Sequence, residues 1–318
     1  ARIMRAQLDR QCSAAPHCSH AAAIAAEGSK DLETEECAAL LRDLEAGGDA
    51  RATAAEMLRG SVLRLSFHPL GCRAVQAALE LCSGDMASAL AAELRGHVRE
   101  AVESRHANFV LGKTVEVLPA EDSAFIAEEL LGFSWAAVRH QYGCRIFCRL
   151  IEHASTHPAT SRLIEHDVAP WAAEHGRHEY AHYVVAHVLE HGLPQHQRLV
   201  ASALLQGGFV DIAKSRHGRF VAEALFTYGS ADEQRAAIAI LRASGDIAGL
   251  AKHANAHIAI AAALRSRERG PGLAEARSAL EMDVAVAAPQ LAMDKYGHRV
   301  LQVVERSRAA SAHATAAA

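Results

Sequence analysis

A pattern that returns about every 37 residues constrains this chain more than any other property it has. The stretch 66–80, SFHPLGCRAVQAALE, reads as a helix opened by the small residue Gly71. Cys72 and Gln76 lie one turn apart on a single face, and Arg73 sits about 100° round from Cys72. Ala74, Val75, Ala78 and Leu79 form a separate apolar stripe that faces a core. Similar segments recur at SRHANFVLGKTVE, HQYGCRIFCRLIE, HEYAHYVVAHVLE, SRHGRFVAEALFT, KHANAHIAIAAAL and DKYGHRVLQVVER. Taking Cys72 as an anchor, its counterparts are Asn108, Cys144, His182, Arg219, Ala256 and His298, at intervals of 36, 36, 38, 37, 37 and 42 residues. A period of this length is the signature of stacked supersecondary units.

The residue before each anchor is Gly71, Ala107, Gly143, Ala181, Gly218, Asn255 and Gly297, types that suit a tight turn. Behind the anchors run two apolar columns. One is Ala74, Val110, Ile146, Val184, Val221, Ile258 and Val300; the other is Val75, Leu111, Phe147, Val185, Ala222, Ala259 and Leu301. Shorter helical segments such as GHVREAVES and GFSWAAVRH fall between motifs. Each unit is therefore two or three helices that bury their apolar faces only by stacking. The fold expected is all-α, a curved α-solenoid of seven to eight three-helix repeats of about 36–38 residues. A worn copy at 34–48 precedes the seven clear ones, and a charged loop at 266–272 lengthens the last interval.

Composition agrees. Half of the 318 residues are hydrophobic but only 5% are aromatic, and alanine is abundant, which favours helix over sheet. Residues 1–30 read as a loose lead-in, 31–306 as the repeat domain, and 307–318 as a disordered Ala/Ser-rich tail. The start at Ala1 reads as a fragment or a processed form. Seven irregularly spaced cysteines suggest reduced thiols in an intracellular protein. No run of about 18 apolar residues suggests a membrane span.

The column one residue after the anchor lies off the core: Arg73, Phe109, Arg145, Tyr183, Phe220, His257 and Arg299. All seven are aromatic or carry a planar cationic group, the side chains that stack on nucleobases. The seven windows from six residues before the anchor to four after it hold eleven Arg or Lys against four acidic residues, a net +7. The rest of the chain then carries −11 of the overall −4. A basic stripe on an otherwise acidic molecule is the electrostatic footprint of a nucleic-acid backbone.

Gly-Cys-Arg-x-x-Gln at 71–76 and Tyr-Gly-His-Arg-Val-Leu-Gln at 296–302 resemble the Pumilio (PUF) family of RNA-binding repeats. The resemblance covers residues 31–306. It implies a crescent that holds single-stranded mRNA on its concave face, antiparallel to the protein. It also implies that the anchor and the residue four on meet one base edge while the residue between them stacks. Carried over, Cys72, Arg73 and Gln76 resemble the adenine-reading triplet, and His298, Arg299 and Gln302 keep the Gln. Glu223 supplies acceptors for the N–H donors of guanine. Asn108 has lost its partner, since position 112 is glycine. The partner position is Cys148, Ala186 and Ile260 in three further units, and Arg219 and Ala256 are unusual edge readers. The expectation is an RNA binder with relaxed base preference, strongest at the two ends and at Glu223.

The partners implied are single-stranded RNA of mRNA 3′ untranslated regions and protein co-regulators, with no membrane, a monomeric state, no cofactor and no catalysis. The site implied is cytoplasmic. Two alternatives stand beside this: a nucleolar relative that binds structured RNA in ribosome biogenesis, and a HEAT- or armadillo-like protein scaffold. His178-Glu179-Tyr180-Ala181-His182 spells the zinc-protease string HExxH, but the repeat register aligns His178 with His140 and His68 and starts a helix near His182. His140, Cys144 and Cys148, spaced four apart, lack a fourth ligand and read as packing residues. Cys12, His17, Cys18 and His20 cluster in the lead-in. Glu80, Glu116, Glu152 and Glu190 recur at one repeat position and read as structural.

Overall fold

The structure, a computed structural model, describes residues 34–316; the lead-in and its Cys/His cluster lie outside them. Among the described residues every regular element is helical. They divide between Asp167 and Val168 into two compact units.

The repeat is a short helix, a motif helix (eleven residues in five of the seven copies) and an outer helix. In the first unit the short helices are Val62–Ser66, Val98–Glu103 and Ser134–Arg139. The motif helices are Gly71–Leu81, Ala107–Val117 and Gly143–His153, each packed on the next. The worn copy is present as Thr34–Ala46, which packs on Gly71–Leu81 and buries Cys37, Leu40 and Leu44. In the second unit the motif helices are Ala181–His191, Gly218–Tyr228, Ala256–Arg265 and Gly297–Ala316. The last of these carries helix into the segment expected to be disordered from 307, as a run rich in the strongest helix former can do.

The core is continuous within each unit. Leu65, Leu94, Leu111, Ile126 and Leu130 are sealed from solvent in the first, and Val184, Phe209, Leu225 and Leu241 in the second. Each such side chain contributes about 1.5–3 kcal/mol on burial.

Two backbone devices fix the units. Gly60, Gly96, Gly132, Gly208 and Gly245 enter the short helices with φ between 70° and 84°, a region costly for any side chain. In the fourth repeat Ala169–Pro170–Trp171 stands in that place. Proline cannot adopt positive φ, and the chain passes through a wide π turn and a 3₁₀ turn instead. The second device is a carboxylate. Glu93 accepts hydrogen bonds from the Gly60 and Val62 N–H groups at 2.8 and 3.0 Å, and Glu129 from those of Gly96 and Val98 at 2.7 and 3.1 Å. In these two repeats the end of the outer helix thus caps the start of its own repeat's short helix.

The recurring glutamates form part of an ion-pair ladder. Lys113 reaches Glu80 and Glu116 at 3.2 and 3.3 Å, and Arg149 reaches Glu116 at 3.0 Å and Glu152 at 2.6 Å. Glu190 accepts from the Tyr228 hydroxyl at 2.7 Å. Burial, then that carboxylate, pushes the Tyr228 phenol up to about 12.

Candidate nucleic-acid interface

Each motif helix begins with the same local construction, made by different side chains. Four residues before the anchor stands an acceptor: His68, Ser104, His140, His178, Ser215, His253 or Asp294. It takes backbone N–H groups from the two residues that precede the anchor, or from one of them. Gly71 N–H donates to His68 Nδ1 at 3.0 Å, Ala107 N–H to Ser104 Oγ at 3.1 Å and Gly218 N–H to Ser215 Oγ at 2.9 Å. Gly297 N–H donates to Asp294 Oδ1 at 2.7 Å, and this bond is the first cause holding that carboxyl below its ordinary value. Tyr142 N–H donates to His140, Tyr180 and Ala181 N–H to His178, and Asn255 and Ala256 N–H to His253. The helix-start donors are thereby satisfied.

Close packing explains the glycines at these starts. None of Gly71, Gly143, Gly218 and Gly297 has positive φ. A Cβ on Gly143 would lie 2.2 Å from the Ala137 carbonyl oxygen, on Gly218 2.3 Å from that of Ile212, and on Gly71 2.7 Å from that of Leu65. The motif helix sits directly against the short helix before it, and close approach, rather than a turn, excludes the side chain.

This construction corrects the sixth repeat by one residue. The anchor N–H donates to the carbonyl of the acceptor residue four before it: Cys72 to His68, Cys144 to His140, His298 to Asp294, and His257 to His253. The sixth anchor is therefore His257, not Ala256, and the position after it is Ile258, which is half-buried. The apolar columns shift with it to Ala259 and Ile260, both fully buried. The partner four residues on becomes Ala261. The stacking column then holds six aromatic or cationic residues and one isoleucine.

In the first unit the anchors Cys72, Asn108 and Cys144 are buried, and their polar atoms turn back on the capping loop. Cys72 Sγ donates to the Pro69 carbonyl at 3.3 Å, Asn108 Nδ2 to Ser104 at 2.7 Å and Cys144 Sγ to Gln141 at 3.5 Å. Burial pushes the Cys72 thiol up. Beside them Arg73 is exposed, Phe109 is 43% exposed and Arg145 is half-buried. Gln76 is half-buried, its amide donating to the Cys72 carbonyl at 2.9 Å.

The second unit is different. His182 is buried, its Nδ1–H donating to the His178 carbonyl at 3.0 Å, and burial lowers it to about 4. Its ring lies 4.0 Å from Tyr183, 5.1 Å from His217 and 5.6 Å from Phe220, stacked at 24° on the last. Tyr183, expected to face a base, is only 3% exposed. Phe220 is half-buried under the Arg219 guanidinium at 4.6 Å. His257 is buried against Tyr296, 4.8 Å between centroids. Glu223 Oε1 lies 3.4 Å from the Arg265 guanidinium, in a pair that is half-exposed on both sides. At the end of this unit His298 and Arg299 are exposed, and Gln302 Nε2 lies 3.0 Å from His298 Nε2.

The HExxH string is not a metal motif here. His178 ends one helix in extended backbone, His182 is the second residue of the next, and His178 Nδ1 is occupied as a cap. His140 is likewise occupied as a cap, with Cys144 turned to Gln141.

Three-helix units, stacked through capped motif helices that present their second and third residues on one face, define a helical repeat protein of the solenoid class. The model of the Pumilio-family RNA binding repeat matches residues 61–95, 139–166, 177–205 and 288–302. A Pumilio domain-containing protein of Schizosaccharomyces pombe is 29% identical over 157 residues, 49% of this chain and 23% of that protein. The putative pumilio homolog 7, chloroplastic, of Arabidopsis thaliana is 22% identical over 165 residues, 52% of this chain and 25% of that protein. The match therefore spans about a quarter of each relative's length. Among solved structures, PUF-8 in complex with PBE-RNA superposes with a TM-score of 0.75 at 18% identity, covering 90% of both chains. The Puf3 RNA binding domain, bound to a 3′ UTR recognition sequence, superposes with a TM-score of 0.70 at 20% identity, covering 93% of this chain and 90% of that one. The chain thus carries four segments that match the Pumilio-family repeat and is similar in fold to Pumilio repeat domains.

Proposed function

We propose that this protein binds single-stranded RNA along its motif helices, without catalysis of its own, and acts in post-transcriptional regulation. The observation that carries this reading is the pairing of exposed Arg73 and Phe109 with the capped starts of successive helices in the first unit. A planar cation and an aromatic ring held one repeat apart are stacking platforms for successive bases. The net +7 of the repeat windows supplies attraction for phosphates. Structural neighbours bound to RNA, including 3′ UTR sequences, support the same reading. An mRNA target, a cytoplasmic site, protein co-regulators and a monomeric state belong to this proposal.

The test is a filter-binding titration with 12-nucleotide single-stranded RNA pools. Arg73→Ala and Phe109→Ala should each weaken binding about 5- to 150-fold, the loss of one stacked base. Binding that is micromolar or weaker and unchanged in both variants would favour a protein-binding scaffold.

A further inference from the structure

Three of the four motif-helix anchors of the second unit are joined to the repeat that follows. Each reaches the residue two before the next anchor. His182 lies 5.1 Å, centroid to centroid, from His217; Arg219 NH1 donates to Asn255 Oδ1 at 3.1 Å; His257 lies 4.8 Å from Tyr296. Three different chemistries make the same seam at three successive positions. The neighbouring stacking positions are closed with them. Tyr183 is buried, Phe220 carries His182 on its ring, and Ile258 offers neither a π face nor a charge. The partner positions are Ala186 and Ala261, with Glu223 held by Arg265. In these three repeats the anchors are engaged across the seam and no side chain of the stacking column is exposed.

Two of these repeats carry exposed positive charge beside their helix starts: Lys214 and Arg216 before Arg219, and Lys252 before His257. Phosphate contacts position a nucleic acid without reading its sequence. We infer that the repeats anchored by His182, Arg219 and His257 form a sequence-blind phosphate track. Base reading in this unit is then confined to the terminal repeat, where His298 and Arg299 are exposed and Gln302 is half-buried beside His298. The inference rests on the RNA-binding reading above and assigns which repeats of this unit take bases.

The experiment uses the full chain. RNA is selected from a random 12-nucleotide pool, and the best-retained sequence is then scanned with single abasic substitutions. A run of three consecutive positions should show no base preference, next to a position that does. Abasic substitution within the run should change affinity less than about 2-fold, against about 5- to 150-fold where a base stacks. Lys214→Ala combined with Arg216→Ala, both exposed, should weaken every sequence alike and reduce the slope of log affinity against log salt by about 1 to 2. Abasic losses inside the run as large as those beside it would overturn the track. So would a selection with no preferred base at any position, since His298 and Gln302 would then read nothing. Failure to retain any RNA would overturn the RNA-binding reading itself, and the track with it.

Discussion

Substituting Gly143 by alanine isolates the contact that sets the motif helix against its short helix. The added Cβ would lie 2.2 Å from the Ala137 carbonyl oxygen, 2.9 Å from its carbonyl carbon and 3.1 Å from its Cα. All three are backbone atoms of a packed helix, so no side chain can rotate away. The helix start must withdraw by about an ångström to reach ordinary van der Waals distance, against buried Cys144, Ile146 and Phe147. Overpacking of this kind costs about 1–3 kcal/mol. Gly112→Ala is the matched control. It lies mid-helix in Ala107–Val117, where an added Cβ meets only Ile146 Cδ1 at 3.9 Å. There the gain in helix propensity should stabilise by about 0.5–1 kcal/mol. Urea unfolding followed by far-UV circular dichroism should move the midpoint in opposite directions for the two variants. Gly143→Ala at or above the wild-type midpoint would refute the close-approach account of these glycines.

Two further perturbations read other parts of the construction. Glu129→Ala removes both acceptors at the start of helix Val98–Glu103 and should cost about 1–3 kcal/mol in the same assay; Glu129→Gln keeps one acceptor and should recover part of the loss. Acid should weaken the second unit through His182. Burial is the main cause of its low value of about 4, so the unfolded chain binds its proton first. Its contribution is fully present above pH 6.5 and declines as pH falls from there towards 4, by about 3 kcal/mol in all. Thermal melts from pH 7 to 4.5 should show this slope flattened in His182→Phe; an unchanged slope would exclude His182 as its source.

The period, the helical class and the core columns of six repeats were legible because burial repeats with the fold. The sixth register slipped because KHANAHIAIAAAL offers two readings. Asn255 resembles a turn residue, and placing His257 after the anchor completes a uniform stacking column. The signal that separates the readings was present four residues upstream. His68, Ser104, His140, His178, Ser215, His253 and Asp294 align only if His257 is the anchor. Those residues share no size, charge or hydropathy, only an acceptor that can reach forward two or three residues. Closure of the second unit was not legible at all. Tyr183 has the composition of a stacking residue, and only the arrangement of His182, His217 and Phe220 shows that it is covered.

The distribution of these features separates what the fold requires from what base reading requires. An acceptor four before the anchor is present in all seven repeats, including those whose anchors are engaged in a seam. Every motif helix needs its first N–H groups satisfied whether or not RNA is bound, since a buried unpaired donor costs about 1–3 kcal/mol. The partner four after the anchor has no such duty. An amide or carboxylate side chain stands there at Gln76, Glu223 and Gln302 alone, with Glu223 Oε1 paired with Arg265. A small residue at that position leaves the helix start and the core stripe intact, so the fold accommodates Gly112, Ala186 and Ala261 there. Base specificity can therefore erode repeat by repeat while the stack persists, and the capping residue rather than the reading residue is the dependable mark of register.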